Sequence, residues 1–170
     1  MLNQNFLNVL IIVGAKHLYL LVILIALIYI LTMPKNKMRE LFALLVIALP
    51  AAYVVAKLAG LLFYNTRPFV VSNFAPLIFH LPDNGFPSDH TLLVGAVSTI
   101  IFFYNKKLGI ILWAISILVG ISRVLAGVHH TVDIIGSVVI AVVVGIVIYE
   151  IYQYILAKIT KNYKPKTNNH

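Results

Sequence analysis

"LFALLVIALPAAYVVAKLAGLLFY", residues 41–64, decides the fold class. It holds one charge, Lys57, and one proline, Pro50. A helix needs ~20 apolar residues to cross the ~30 Å hydrocarbon of a bilayer. The run has none of the apolar–polar alternation of a barrel strand, so it reads as a membrane helix kinked near Pro50.

Outward from it, four more runs have the same character. They are "HLYLLVILIALIYILTM" (17–33), a run from the stretch "NGFPSDHTLLVG" (84–95) to Tyr104, "LGIILWAISILVGISRVLAG" (108–127), and a run from Thr131 to about Leu156. The expectation is an all-α integral membrane bundle of five transmembrane helices. Residues 1–16 are short and start with Asn3, Gln4, Asn5 and Asn8. They read as an interfacial or partly inserted N-terminal helix, with a sixth span as the alternative. Residues 17–157 form the membrane domain, and residues 158–170 form a polar, basic, cytoplasmic tail. The segment 1–16 lacks a basic start and a small-residue cleavage site, so it does not read as a signal peptide.

Composition agrees. Of 170 residues, 61% are hydrophobic and 11% charged, against roughly 25% charged in a soluble domain. Mean hydropathy is +0.98 and the pI about 9.8. The net charge of +8 sits on no basic amphipathic helix, so nucleic acid is not an expected partner. It records topology instead. Lys35, Lys37 and Arg39, then Lys106 and Lys107, then Lys158, Lys161, Lys164 and Lys166 fall on one side of a five-span chain, the cytoplasmic side. The chain has no cysteine, which excludes disulfides and thiolate chemistry.

Ionisable residues at span ends point to function. Arg67 follows the second span. Ser88, Asp89 and His90 open the third, Ser122 and Arg123 close the fourth, and His129, His130 and Asp133 open the fifth. The turn at 105–107 returns the third and fourth spans to the same face, so these groups meet at the outer-face helix ends. Two arginines suit phosphate oxygens. Ser88 stands as an N-cap or first-turn residue, where helix N–H groups favour an anion. Asp133, four residues after His129, can accept from one ring nitrogen and leave the other free. His90 could protonate a leaving oxygen and later deprotonate water. The set reads as phosphoryl chemistry.

"PSDH" (87–90) and "SRVLAGVHHTVD" (122–133) resemble the second and third motifs of the type-2 phosphatidic acid phosphatase superfamily. The third motif matches at Ser122, Arg123, His129 and Asp133. In the second, Asp89 stands where the family usually has glycine. In the first, Arg67 and Pro68 match, but Gly60 holds the lysine position and the nearest lysine is Lys57. "RPFV" (67–70) and "FPSDHT" (86–91) are similar to the bacitracin-resistance type of undecaprenyl-diphosphatase. The resemblance implies hydrolysis of undecaprenyl diphosphate at the outer face of a bacterial plasma membrane. It implies a phosphohistidine on His129, Asp133 orienting it, His90 as acid then base, and phosphate held by Arg67, Ser88 and Arg123. It implies no metal and no cofactor. The partners it implies are the polyprenyl diphosphate substrate and membrane lipids.

Lys57 lies ten residues before Arg67, about 15 Å along a helix. It must curl outward to reach a phosphate, or else it pairs inside the bundle. Asp89 favours the helix's first turn or makes His90 a better acid; Asp89 and Ser122 are modulating candidates. His17, His80 and His130 read as hydrogen-bonded interface residues, and Asp83 as a solvated loop residue. Tyr64, Tyr104 and Tyr149 read as interfacial belt. The alternatives are phosphatidate or phosphatidylglycerophosphate phosphatase and, in another class, a small His/Asp transporter. A transporter would place its site near the midplane.

Overall fold

The computed structural model describes residues 3–162. Residues 163–170 of the expected tail, with Lys164 and Lys166, lie outside that range. The elements are α1 (Gln4–Lys16), α2 (Leu18–Thr32), α3 (Lys35–Leu62), the single turn α4 (Pro68–Val71), α5 (Asp89–Tyr104), α6 (Lys106–Leu125) and α7 (Thr131–Asn162).

Local chemistry sets the boundaries. The Asn3 side chain caps α1 by accepting from the Asn5 N–H at 3.1 Å. His17 breaks the helix, and α1 and α2 meet there at 47°. Pro34, which has no N–H to leave unpaired, stands at the start of α3. The charged segment 35–40 before the second apolar run is helical: Lys37 and Glu40 pair at 3.0 Å one turn apart, and a helix reaching into water needs no apolar residues. Pro50 sits inside α3 without ending it. Asn105 closes α5 and caps α6, its side chain accepting from the Leu108 N–H at 3.0 Å. The two helices thus form a hairpin around one residue. Gly109 makes its closeness feasible: a Cβ there would lie 2.5 Å from the Phe102 Cα.

α5 is the centre of the bundle and packs against α2, α3, α6 and α7. Its residues from Val94 to Ile101 are all buried. The main core joins Val22 and Ala26 of α2, Leu41 and Leu44 of α3, Ile100 of α5, and Leu112 and Val119 of α6. Ser98 of α5 and Ser116 of α6, both fully buried, bond to each other at 3.0 Å. Each hydroxyl also lies within bonding distance of the carbonyl four residues back, Ser98 of Val94 at 2.7 Å and Ser116 of Leu112 at 2.8 Å. With one proton each, one serine donates to its carbonyl and accepts from the other.

Among the described residues, α3, α6 and α7 are long and apolar enough to cross a membrane, and the bent pair α1–α2 makes a fourth span if taken as one. α5, with 16 residues, is shorter. The belt residues Tyr104 and Tyr149 have specific partners: Tyr104 donates to Glu40 at 2.7 Å, and Tyr149 stacks on Phe103 at 3.9 Å. These contacts gather the start of α3, the α5–α6 turn and the second half of α7 at one end of the bundle. Arg67, Ser88, His90, Arg123, His129 and Asp133 lie at the other.

Candidate active site

The C-terminal end of α6 turns sharply. Gly127 adopts φ +79°, its N–H donates to the Val124 carbonyl at 2.9 Å, and the Val128 N–H donates to Arg123 at 3.3 Å. This pair of bonds is the glycine-dependent cap that ends many helices. Six residues after Arg123, it folds His129 back so that Arg123 Nη2 lies 3.3 Å from His129 Nε2.

Arg67 approaches from the segment after α3. Its Nη1 donates to the Val128 carbonyl at 2.8 Å and lies 3.3 Å from the same Nε2. Its Nε donates to Asp83 at 2.7 Å, and its Nη2 to the Asn84 carbonyl at 3.3 Å. Arg123 donates from Nη1 to the Ala15 carbonyl at 3.3 Å, so the end of α1 also touches the site. Both arginines are buried.

The tautomer of His129 follows from its neighbours. Nδ1 faces two acceptors, the Gly85 carbonyl at 2.9 Å and Asp133 Oδ2 at 3.3 Å, so it carries the proton. Nε2 faces two guanidinium groups that can only donate, so it holds the lone pair. Burial first, then Arg123 and Arg67, holds His129 below the ordinary histidine value of 6.5, against the opposing pull of Asp133. The ring is neutral at pH 7 and its free nitrogen points where two cations converge.

Asp133 is fully buried. It accepts from Asn65 Nδ2 at 2.6 Å, from the His130 N–H at 2.8 Å and from His129. Asn84 ties the end of α3 to the approach to α5. Its Oδ1 accepts from the Asn65 and Phe86 N–H groups, and its Nδ2 donates to the Gly60 carbonyl at 2.8 Å. Ser88 is the N-cap of α5 without a side-chain cap bond. Its Oγ accepts from Thr91 at 3.3 Å, and its backbone is held by Asp133 and Ser137.

A cavity of about 430 Å³ opens here, lined by Lys57, Arg67, Asp89, His90, Arg123 and His129 among others. Ser88 lies behind its wall, beside Asp89. His90 packs edge-on against Tyr19 at 4.9 Å. Lys57 reaches the cavity rim, 3.6 Å from Asp89 and 4.8 Å from the Tyr53 ring centre. This exposed pair is worth no more than about 1 kcal/mol, so Lys57 is free to exchange Asp89 for another anion. Ser122 turns away and packs on Gly14 of α1. Among the described residues, no three His, Asp or Glu side chains gather as a metal site.

Asp83 differs from its reading as a solvated loop residue. It is half-exposed but ion-paired to Arg67. Burial alone would raise its carboxyl; the Arg67 bond and charge outweigh that and hold it below the ordinary value. His80 also lines the cavity, its ring 6.0 Å from that of His129, and burial, then Arg67, holds it below the ordinary histidine range. His130 is hydrogen-bonded, its Nε2 lying 3.1 Å from the Thr66 carbonyl. The sequence reading passed over Asn65, Asn84 and Gly85. The one signal for them was their position beside "RP" and "PSDH".

Residues 39–157 match the sequence profile of the PAP2 superfamily. Undecaprenyl-diphosphatase BcrC of Bacillus subtilis (strain 168) is 35% identical over 133 residues, covering 70% of this chain and 68% of that one. The Bacitracin transport permease protein BcrC of Bacillus licheniformis is 35% identical over 116 residues, 68% of this chain and 56% of that one. The crystal structure of Aquifex aeolicus LpxE shares the fold, with a TM-score of 0.70 at 24% identity over 88% of each chain.

Proposed function

Because the chain belongs to the PAP2 superfamily and is a multi-pass membrane phosphatase, we propose that it hydrolyses undecaprenyl diphosphate to undecaprenyl phosphate and phosphate. The observation that carries this reading is the lone pair of His129 Nε2, 3.3 Å from each of two buried guanidinium groups. A phosphate between those groups would present its phosphorus to a nucleophile with a fixed tautomer.

The steps follow from that arrangement. Arg67 and Arg123 bind the terminal phosphate, with the start of α5 at Ser88 beside them and Lys57 for the inner phosphate. Nε2 attacks the terminal phosphorus as the bond to the bridging oxygen breaks, and both guanidinium groups offset the charge on the transferring oxygens. His90 gives a proton to the departing lipid phosphate. Asp133 and the Gly85 carbonyl hold the Nδ1 proton and stabilise the ring as it becomes cationic. Water, deprotonated by His90, then displaces His129 from phosphorus and releases phosphate. Asp89 holds Lys57 at the rim until substrate arrives. The lysines at the opposite end of the bundle support an extracytoplasmic site in a bacterial plasma membrane, crossed five times, with α1 at the interface.

The site lies at helix ends and not at the middle of the bundle, which favours hydrolysis over transport. The test is phosphate release from undecaprenyl diphosphate by the detergent-purified chain with a chelator present. Release is expected, with inhibition by vanadate and a loss on the order of 10³-fold or more in His129→Ala. Undiminished release by that variant would sink the nucleophile. Release from phosphatidate alone would move the substrate.

A further inference from the structure

The two histidines of the site are held by different means. The His129 ring is fixed by polar partners at both nitrogens. Among the described residues, no hydrogen bond reaches the His90 ring. Its aromatic neighbour is Tyr19, 4.9 Å away with the two ring planes at 90°, an arrangement that aromatic pairs prefer. Tyr19 is the second residue of α2 and packs on the main core. Its place follows from the elbow between α1 and α2. The chain bends there by 47°, and the last carbonyls of a helix have no donor within it. That of Ala15, fully buried, accepts instead from Arg123 Nη1 at 3.3 Å. At Gly14 a Cβ would collide with the Ser122 hydroxyl, so α1 lies hard against the turn of α6 that carries Arg123. The elbow is thereby pinned to a phosphate-binding arginine, and four residues after Ala15 it sets Tyr19 against His90. These residues precede 39–157, the stretch that matches the superfamily profile.

We propose that Tyr19 is a positioning residue for the reaction: carried on the α1–α2 elbow, its ring holds the His90 imidazole toward the bridging oxygen of the substrate. The proposal rests on the lipid diphosphatase reading and deepens it. As the bond from the terminal phosphorus to the bridging oxygen breaks, its electron pair leaves with the lipid phosphate, and His90 supplies the proton that this oxygen gains. In the second step His90 takes a proton from water. The water oxygen bonds to phosphorus, and the electron pair of the N–P bond returns to His129 Nε2. Both transfers require the His90 ring within hydrogen-bond reach of the reacting oxygen. A ring without restraint divides its time among rotamers, and most of them point elsewhere. A hydrogen-bonding neighbour would restrain it but occupy one nitrogen. An edge-on aromatic restrains it and leaves both nitrogens for proton transfer. Tyr19 does not line the catalytic cavity, so its effect reaches the substrate through His90.

The test is steady-state phosphate release from undecaprenyl diphosphate by the full-length chain in detergent. Tyr19→Leu is expected to lower kcat about tenfold, part of the ~10²–10⁴-fold that a positioned acid or base supplies. KM is expected to stay within about twofold, since phosphate binding is untouched. Tyr19→Phe keeps the ring and is expected to hold kcat within about twofold of the parent. In a His90→Ala background, Tyr19→Leu is expected to cost nothing further, because a residue that acts through another does not add to its loss. An unchanged kcat in Tyr19→Leu overturns the proposal. So does a Tyr19→Phe variant that loses as much, a loss carried by KM, or a further loss of the same size in the His90→Ala background. Should Tyr19→Leu fail to fold, as read from a melting curve, Tyr19→Met takes its place in the same comparison. Absence of release by the unmodified chain defeats the functional reading and the proposal with it, whereas release without these effects defeats the proposal alone.

Discussion

The imidazole of His129 is held on both sides, and the residue that steadies its acidic partner is Asn65. Its amide donates to Asp133 at 2.6 Å, the shortest side-chain bond in the site. Removing it leaves the buried carboxylate with one donor fewer and lets it swing relative to the ring. We expect Asn65→Ala to lower kcat about 10–100-fold, the scale seen when an outer hydrogen-bond partner is lost, with little change in KM. Steady-state kinetics in detergent with a melting curve as control would check this, and an unchanged kcat would remove Asn65 from the machinery. The His129–Asp133 pair was legible from its spacing, read as one face of a helix, but His129 lies two residues before α7, which begins at Thr131; the two meet because the chain turns into the helix there, with Asp133 also accepting from the His130 N–H. Asn65 was not legible, because its bond to Asp133 spans 68 positions. The Gly85 carbonyl, closer to Nδ1 than Asp133 is, was also hidden: every residue has a carbonyl, so none marks itself. Asp83 looked solvated since nothing in "LPDNG" says that Arg67 lies beside it.

Hydropathy located the helices' apolar middles well and their ends less well. α5 runs as expected to Tyr104, but α3 begins six residues before its apolar run and α7 continues to Asn162. Hydropathy reports the solvent a segment prefers, while capping and ion pairs decide where helix stops, as at Pro34 and Lys37–Glu40. The break falls at His17, the residue at which the apolar run 17–33 begins. The α5–α6 hairpin was legible as a turn at 105–107, but its closeness depends on Gly109 against the Phe102 backbone. Backbone cannot rotate aside as a side chain can. Gly109→Ala should therefore destabilise the fold by about 1–3 kcal/mol, read as a lower Tm in a thermal-shift assay. A Tm equal to that of the parent would mean that the helices part without cost.

Across the whole molecule, the lysine-bearing turns and the candidate site lie at opposite ends. Lys35, Lys106 and Lys107 mark the end where Tyr104 bonds Glu40, far from His129. Because the chain has no cysteine, single cysteines report orientation cleanly. Phe79→Cys, at a side chain 85% exposed, is expected to react with a membrane-impermeant maleimide in intact cells, and Lys106→Cys only after permeabilisation. The reverse pattern would invert the proposed topology. The one-residue joint at Asn105 then acquires a mechanical meaning. α5 and α6 are the two arms of a pair of tongs, pivoting at the charged end and carrying His90 and Arg123 near their tips. Arms of about 24 Å convert a splay of about two and a half degrees into about 1 Å at the jaws, a misplacement that can cost about 100-fold in rate. On the proposed mechanism, a methyl group added at Gly109 would thus slow proton transfer to a phosphate bound at the far end of the bundle, and the grip of the site would be set from the end that the substrate does not touch.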